Sequence, residues 1–232
     1  MTITSPQNET LKEIRKLAGR KWRDKLRQFV AEGEDLLEAA DAAGWEPLAR
    51  LVAEGSGLAG EEVKPHLLRQ VSQLGSGTRA IGVYAQRWDV PAGPLCLALW
   101  GVNDPGNVGT ALRSALAFGA SSVALGPGTA DPYGPKAVRA SMGALFDVPV
   151  ARVRTVEELP GRKIALIAHG GEPLAPEGDT TLVIGAEREG LPDDVVAACD
   201  AVATIPVRAE SLNAAMAATV ALYECNRRMA AP

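Results

Sequence analysis

Three short stretches of the 232-residue chain hold residue types able to do chemistry together. The first, Asn103-Asp104-Pro105-Gly106-Asn107-Val108-Gly109, runs into a helical pattern that carries Arg113. Asn107 can cap that helix, and Gly109 lets a neighbouring chain or ligand come close. Arg113 lies about one and a half turns in, facing away from the Leu112/Leu116 stripe. A guanidinium there can grip a phosphate at two points, or it can be a surface arginine paired one turn away. The second stretch, Leu182 to Pro192, reads as a buried strand ending at Gly185, with Glu187 in the adjoining turn and Gly190 beyond it. The glycines allow backbone N–H and C=O groups to face a ligand. Glu187 either serves a site at the strand's end or caps a helix before Pro192. The third, Thr204 to Asn213, takes a short strand through Ile205-Pro206 and a tight turn to Ser211 and Asn213. Ser211 stands at the N-cap position of a helix about five turns long. The pair therefore sits at a positive helix end, where a small polar or anionic ligand is held well, although a serine there can also do no more than cap.

The rhythm of the chain says which elements must carry these stretches. From Leu95 onward, strands LCLALWGV, SSVALG, VPVARV, KIALIAHG, TTLVIGAE and AVATI alternate with helices. Those helices are NVGTALRSALAFG, KAVRASMGALF, a short VEEL and the last one. Such alternation predicts a parallel, helix-covered sheet with its ligand site at the strands' C-terminal ends. No G-x-G-x-x-G follows the first strand, so the ordinary dinucleotide fingerprint is missing. Residues 1–86 show a shorter α/β pattern: one helix from Asn8 to about Phe29, a strand, and a helix with Leu36, Leu37 and Ala40 inward that stops at Gly44. Two prolines and a glycine break the pattern over 87–94, which is expected to be a linker between domains at 1–86 and 95–232.

Composition narrows the function. The hydrophobic content of 47% suits a globular core, and no apolar stretch is long enough to span a bilayer. The polar N-terminus lacks a signal-peptide core, so the expected location is the cytoplasm, with no membrane partner. Cys96, Cys199 and Cys225 are far apart and unpaired in pattern, and His66 and His169 alone make no conventional metal cluster, so no metal is expected. Net charge is −4, yet residues 1–30 hold eight Lys and Arg against three acids. That local +5 on an otherwise acidic chain is what a phosphate-binding patch would produce, or a merely solvated basic helix.

In this order and spacing, the three stretches resemble the SpoU (TrmH-like) branch of the SPOUT RNA methyltransferases. The first motif, N-x-G-x-x-x-R, is matched by Asn107, Gly109 and Arg113. The second, G-x-E-x-x-G-L, is matched by Gly185, Glu187, Gly190 and Leu191. The third, Ile-Pro followed by S-L-N, is matched by Ile205, Pro206, Ser211, Leu212 and Asn213. The segment Lys136 to Ala144 and the FDVPV after it also look like the family, and the resemblance spans about Leu95 to Tyr223. The N-terminal part is similar, more loosely, to a small ribosomal-protein-like RNA-binding domain. One departure stands out: only Val207-Arg208-Ala209-Glu210 separate Pro206 from Ser211, a shorter turn than the family commonly has.

The resemblance implies an α/β domain with a deep C-terminal trefoil knot, S-adenosylmethionine as cofactor, a homodimer, and methyl transfer to a ribose 2′-oxygen of RNA. Ribosomal RNA is the expected target, with transfer RNA an alternative, and a non-catalytic RNA-binding protein of the same fold is the competing reading. By the same resemblance Arg113 is the central catalytic residue beside an RNA phosphate. A guanidinium keeps its proton at physiological pH, so it stabilises a developing alkoxide and does not act as the base. Asn107 would position substrate or Arg113, Glu187 would orient Asn213, and Ser211 with Asn213 would align the RNA. Gly185, Ile205 and Leu212 would hold the cofactor through backbone groups, with Ala168, His169 and Gly170 lining the pocket; His169 is either a wall or a base. The basic helix, through Lys16, Arg20, Lys21, Arg23 and Arg27, would dock the RNA.

Overall fold

Apolar alternation sorts the chain into two sheets. The structure, a computed structural model, describes residues 2–74, 77–208 and 211–229. The chain opens with helices α1 (Glu9–Leu17) and α2 (Arg20–Leu26), strand β1 (Gln28–Glu32), helix α3 (Glu34–Ala42) and strands β2 (Ala49–Ala53) and β3 (Glu61–Val63). Helix α4 (Pro65–Val71) and strand β4 (Ala80–Ala85) complete this part. The four strands form a mixed sheet in the order β1-β4-β2-β3, antiparallel except for β2 with β3. Successive side chains of a strand point to opposite faces. Val30, Ile81 and Val83 accordingly pack under α1 and α4 with Leu11, Ile14, Leu17 and Leu67, while Phe29, Ala31 and Tyr84 face the other way.

The second part runs β5 (Leu95–Leu99), α5 (Pro105–Ala117), β6 (Ser122–Leu125), α6 (Pro135–Ala140), α7 (Ala144–Asp147) and β7 (Val150–Arg152). It continues with β8 (Arg162–Ile167), β9 (Glu172–Pro173), β10 (Thr180–Ile184), α8 (Asp193–Ala197), β11 (Ala201–Thr204) and α9 (Ala214–Met229). Its seven strands are parallel throughout, ordered β7-β6-β5-β10-β8-β11-β9. The central strands β5, β6 and β10 are buried along their whole length, as a helix-covered parallel sheet requires. Leu95, Leu97 and Leu99 join one core, and Cys96 and Ala98 join another on the opposite face. No described helix is long and apolar enough to cross a membrane.

Five local expectations need correction. The basic N-terminal helix is two helices, broken at Ala18-Gly19, with the extended Gly19 opening the second. The helix expected over KAVRASMGALF is also two, because Met142 and Gly143 adopt φ of 49° and 92° and turn the chain. Asp104, not Asn107, caps α5: its carboxylate accepts from the N–H groups of Gly106 and Asn107, and Pro105 fills the first helical position. Leu116 is 44% exposed and so stands outside the buried stripe of α5. The segment expected as a linker, 87–94, does run from one sheet to the other, but it is packed. Trp88 meets Tyr133 edge to face at 5.1 Å, Arg87 stacks 3.9 Å over Trp45, and the Asp89 N–H donates to the Val150 carbonyl at 2.9 Å.

Helices α5 and α6 cross at Gly109, where a Cβ would stand 2.6 Å from the Ala140 Cβ and 2.9 Å from the Ser141 backbone N. Gly109→Ala therefore has to push the two helices apart. It is expected to lower unfolding free energy by about 1–3 kcal/mol in a urea titration. An unchanged midpoint would show that α5 and α6 can separate freely.

Candidate active site

Strands β8, β10 and β11 lie side by side, so the loops leaving their C-terminal ends converge. They enclose a cavity of about 520 Å³, within the range of about 300–1,000 Å³ usual for small-molecule sites. The second loop owes its shape to two glycines. Ala186 and Gly190 exchange backbone hydrogen bonds at 3.1 and 3.0 Å, which closes a tight turn with Glu187 inside it. Gly190 has φ of 69°, and the Gly190 carbonyl packs so closely on Gly185 that a Cβ there has no room. Ala168, His169, Gly185, Ile205, Ser211 and Leu212 all line the cavity, whereas Gly170 does not. The shortened turn after Pro206 lies partly outside the described residues, at 209–210, and its two described ends both reach the cavity wall through Val207 and Ser211.

At the rim, three side chains from distant parts of the chain form one relay. Helix α9 begins with N–H groups that have no partner inside the helix. The Asn213 Oδ1 accepts from two of them, Ala215 at 2.9 Å and Met216 at 3.3 Å. Asn213, not Ser211, is thus the N-cap, a role asparagine fills as well as serine. With its oxygen committed, Asn213 turns its Nδ2 outward and donates to the Asn107 Oδ1 at 3.1 Å. Asn107 then has its own Nδ2 free to donate to the Glu187 carboxylate. The order is therefore Glu187, Asn107, Asn213: Glu187 reaches Asn213 only through Asn107. Asn107 and Glu187 are half-buried, which strengthens a hydrogen bond to the charged acceptor.

Sequence reasoning missed Asp104, although Asp followed by Pro is a helix-start signal in its own right. The Lys136 ammonium, 2.8 Å away, and the two capping N–H groups hold the Asp104 carboxyl below the usual carboxylate range. It also missed how α5 and α9 are set against each other. The Thr219 hydroxyl donates to the Ala215 carbonyl, so Ser114 must donate to Thr219 across the 2.6 Å contact. Arg113, next to Ser114, is exposed, does not line the cavity, and makes no hydrogen bond or ion pair to any described residue. Ser211 is exposed on the cavity wall.

The basic N-terminal residues divide. Lys16, Arg20, Lys21 and Arg27 are exposed. Arg23 is a correction to the expected docking set: its side chain is 6% exposed and ion-paired to Asp131 at 2.9 Å, so it has no access to a ligand in solution.

The relay makes a stability statement that needs no assay of function. Asn213→Ala removes the cap and is expected to cost about 1 kcal/mol of unfolding free energy, whereas Asn213→Ser keeps a capping oxygen and stays within a few tenths. Equal losses in denaturant titrations would mean that capping is not what Asn213 contributes.

Comparison with known proteins agrees with this geometry. The SpoU rRNA Methylase family matches residues 94–223, and the MRM3-like substrate binding domain matches residues 8–85. The chain is 28% identical over 241 residues to 23S rRNA (guanosine(2553)-2'-O)-methyltransferase RlmP of Bacillus subtilis, covering 95% of this chain and 97% of that one. An AdoMet-bound rRNA methyltransferase from Sinorhizobium meliloti superposes with a TM-score of 0.87 at 30% identity, over 100% of this chain and 99% of the other. The SpoU methyltransferase AviRb from Streptomyces viridochromogenes, in complex with AdoMet, superposes with a TM-score of 0.86 at 27% identity, over 97% and 100%.

Proposed function

The chain belongs to the SpoU rRNA Methylase family, and we propose that it transfers the methyl group of S-adenosylmethionine to a ribose 2′-hydroxyl of ribosomal RNA. The observation that carries this reading is the cavity between three strand-end loops with the Glu187–Asn107–Asn213 relay at its rim. The cavity suits the cofactor in size and in its mixed polar and apolar walls, with Gly185 and Gly190 both lining it. Gly185, Ile205 and Leu212 would hold it with backbone groups, and Ala168 and His169 would form the wall. When bound, it supplies a methyl group on a sulfonium, an activated leaving group.

The chain's own residues have to bring the 2′-oxygen into line and ease the loss of its proton. Asn107 and Asn213, held by the cap of α9 and by Glu187, are fixed hydrogen-bonding groups for the ribose and its phosphate. Ser211 adds a hydroxyl on the cavity side. Arg113, with no partner among the described residues, is free to meet a phosphate and to stabilise negative charge as it develops on the oxygen. The proton leaves to phosphate or water. Lys16, Arg20, Lys21 and Arg27 dock the RNA backbone. The C-terminal trefoil knot is part of the same proposal, supported by loop 185–191 closing on one cavity with Ile205, Val207, Ser211 and Leu212. So is a homodimer: Met216, Val220 and Tyr223, at helical spacing on α9, are 61%, 41% and 52% exposed, and Leu116 on the adjoining α5 is exposed as well.

Incubation with labelled S-adenosylmethionine and unmodified ribosomal RNA is expected to leave one internucleotide linkage resistant to alkali, since a methylated 2′-oxygen cannot attack its phosphate. Label that stays alkali-sensitive would place the methyl elsewhere. In that assay Arg113→Ala is expected to slow transfer about 100-fold or more while calorimetric binding of the cofactor stays within twofold. Near-normal turnover would remove Arg113 from the mechanism. For the dimer, Met216→Glu combined with Val220→Glu is expected to give a folded monomer in light scattering; a persisting dimer would clear that face.

A further inference from the structure

Arg23 lies among exposed basic residues, yet it is almost fully buried, and each of its hydrogen-bonding groups is spoken for. Its Nε and Nη2 both reach the Asp131 Oδ2 at 2.9 Å, and its Nη1 donates to the Leu17 and Ala18 carbonyls at 2.8 Å each. Those carbonyls lie where α1 ends, so the guanidinium closes the break between α1 and α2 from inside. The other oxygen of Asp131 accepts from the Tyr133 N–H at 3.0 Å, which holds the carboxylate in place. A buried pair of this kind is rarely the most stable solution for its volume, because apolar residues often do as well. What it adds is geometry.

The far side of the clamp leads to the candidate site. Asp131 belongs to the loop after β6, which is tied to the turn between β5 and α5. The Gly101 N–H donates to the Pro127 carbonyl at 3.0 Å, and the Ala130 N–H to the Val102 carbonyl at 2.9 Å. The same loop runs into α6, whose Lys136 holds Asp104, the cap of α5, at 2.8 Å. Asn107 is three residues further on. An unbroken series of bonded groups therefore joins the corner that carries Lys16, Arg20, Lys21 and Arg27 to Asn107, the middle member of the relay.

We infer that Arg23 is a positioning residue: by clamping the α1–α2 corner to the 126–134 loop, it sets which ribose of a docked RNA reaches Asn107 and Asn213. This rests on the proposed methyltransferase reading. It also narrows the substrate class to RNA folded so that the docked segment and the target ribose keep a fixed separation. A flexible single strand could slide past a rigid arm and would be modified at no one position.

The test uses the full chain with Arg23→Met and Asp131→Leu together, which removes the pair without stranding a buried charge, and Arg23→Met alone beside it. Unmodified 23S ribosomal RNA made by transcription is the probe. For the double variant, cofactor binding is expected to stay within twofold and RNA binding within about threefold. Transfer is expected to slow at least tenfold, with methyl groups spread over riboses neighbouring the wild-type position. Hydrogen exchange is expected to accelerate over residues 17–27 and 126–134 alone. Transfer confined to the wild-type nucleotide, at whatever rate, would overturn the inference, since a merely structural pair alters yield without altering position. Should wild-type protein transfer no methyl to this RNA, the proposed function is what fails. The exchange measurement still reads the clamp then, and unchanged protection over 17–27 would overturn it.

Discussion

Phe29 makes one body of two sheets. It projects from β1 of the first sheet, yet its ring lies 4.7 Å from that of Tyr133 and 6.0 Å from that of Phe146, both carried by the second part of the chain. Trp45 and Tyr84 complete the cluster from the first side, and the Trp45 indole N–H donates to the Phe146 carbonyl at 2.8 Å. Each aromatic pair adds about 0.5–1.5 kcal/mol beyond its buried area. The larger consequence comes from density. Domains in one chain are expected to move unless their interface is large and apolar, and here the main core contains residues of both sheets. Relative motion would open a close-packed interior, which does not deform gradually. The packed segment 87–94 follows from the same constraint: Arg87 and Trp88 are held by Trp45 and Tyr133, members of that core.

The candidate site was legible in the sequence to the extent that its needs were local. Gly185 and Gly190 announce a turn, and the structure gives the reason: a Cβ on Gly185 would meet the Gly190 backbone, and Gly190 takes φ of 69°. The central strands could be read from short apolar runs, because a strand covered on both faces is apolar nearly throughout; Ser122, Thr180 and Thr181, buried at the starts of β6 and β10, are the exceptions. What failed were decisions between neighbours. Ser211 and Asn213 are both good caps, and the choice fell to Asn213 because its amide has a second use in reaching Asn107, which lies 106 residues away. Asn107 lost the cap of α5 to Asp104 for a related reason, since Asp104 also meets Lys136.

The two broken helices show a different limit. Nothing in the period of Leu11, Ile14 and Leu17 warns that α1 ends at residue 17, for the pattern continues plausibly through Trp22. The break is settled by Arg23, which reads as a surface charge until Asp131 is known to lie against it, 108 residues on. A charge is read from sequence as exposed because burial without a partner is so unfavourable. Where a distant partner exists, that rule gives the wrong sign, and no local window can supply the correction.

Burying Arg23 also changes what the N-terminal corner offers a polyanion. Lys12 is paired with Glu9, Arg20 lies 3.6 Å from Asp24, and Arg23 is neutralised inside. Arg15, Lys16, Lys21, Lys25 and Arg27 remain without an acidic partner among the described residues, and Lys16 and Lys25 both lie over the Trp22 ring. These charges occupy one corner of a chain whose net charge is −4, so repulsion from the rest of the surface favours approach there. A further exposed charge would have strengthened that attraction. Phosphate contacts carry affinity and orientation but no sequence information, so a stronger corner that moved freely would hold many RNA segments equally well. One cation withdrawn to fix the exposed ones is the better arrangement for an enzyme that has to choose a single ribose.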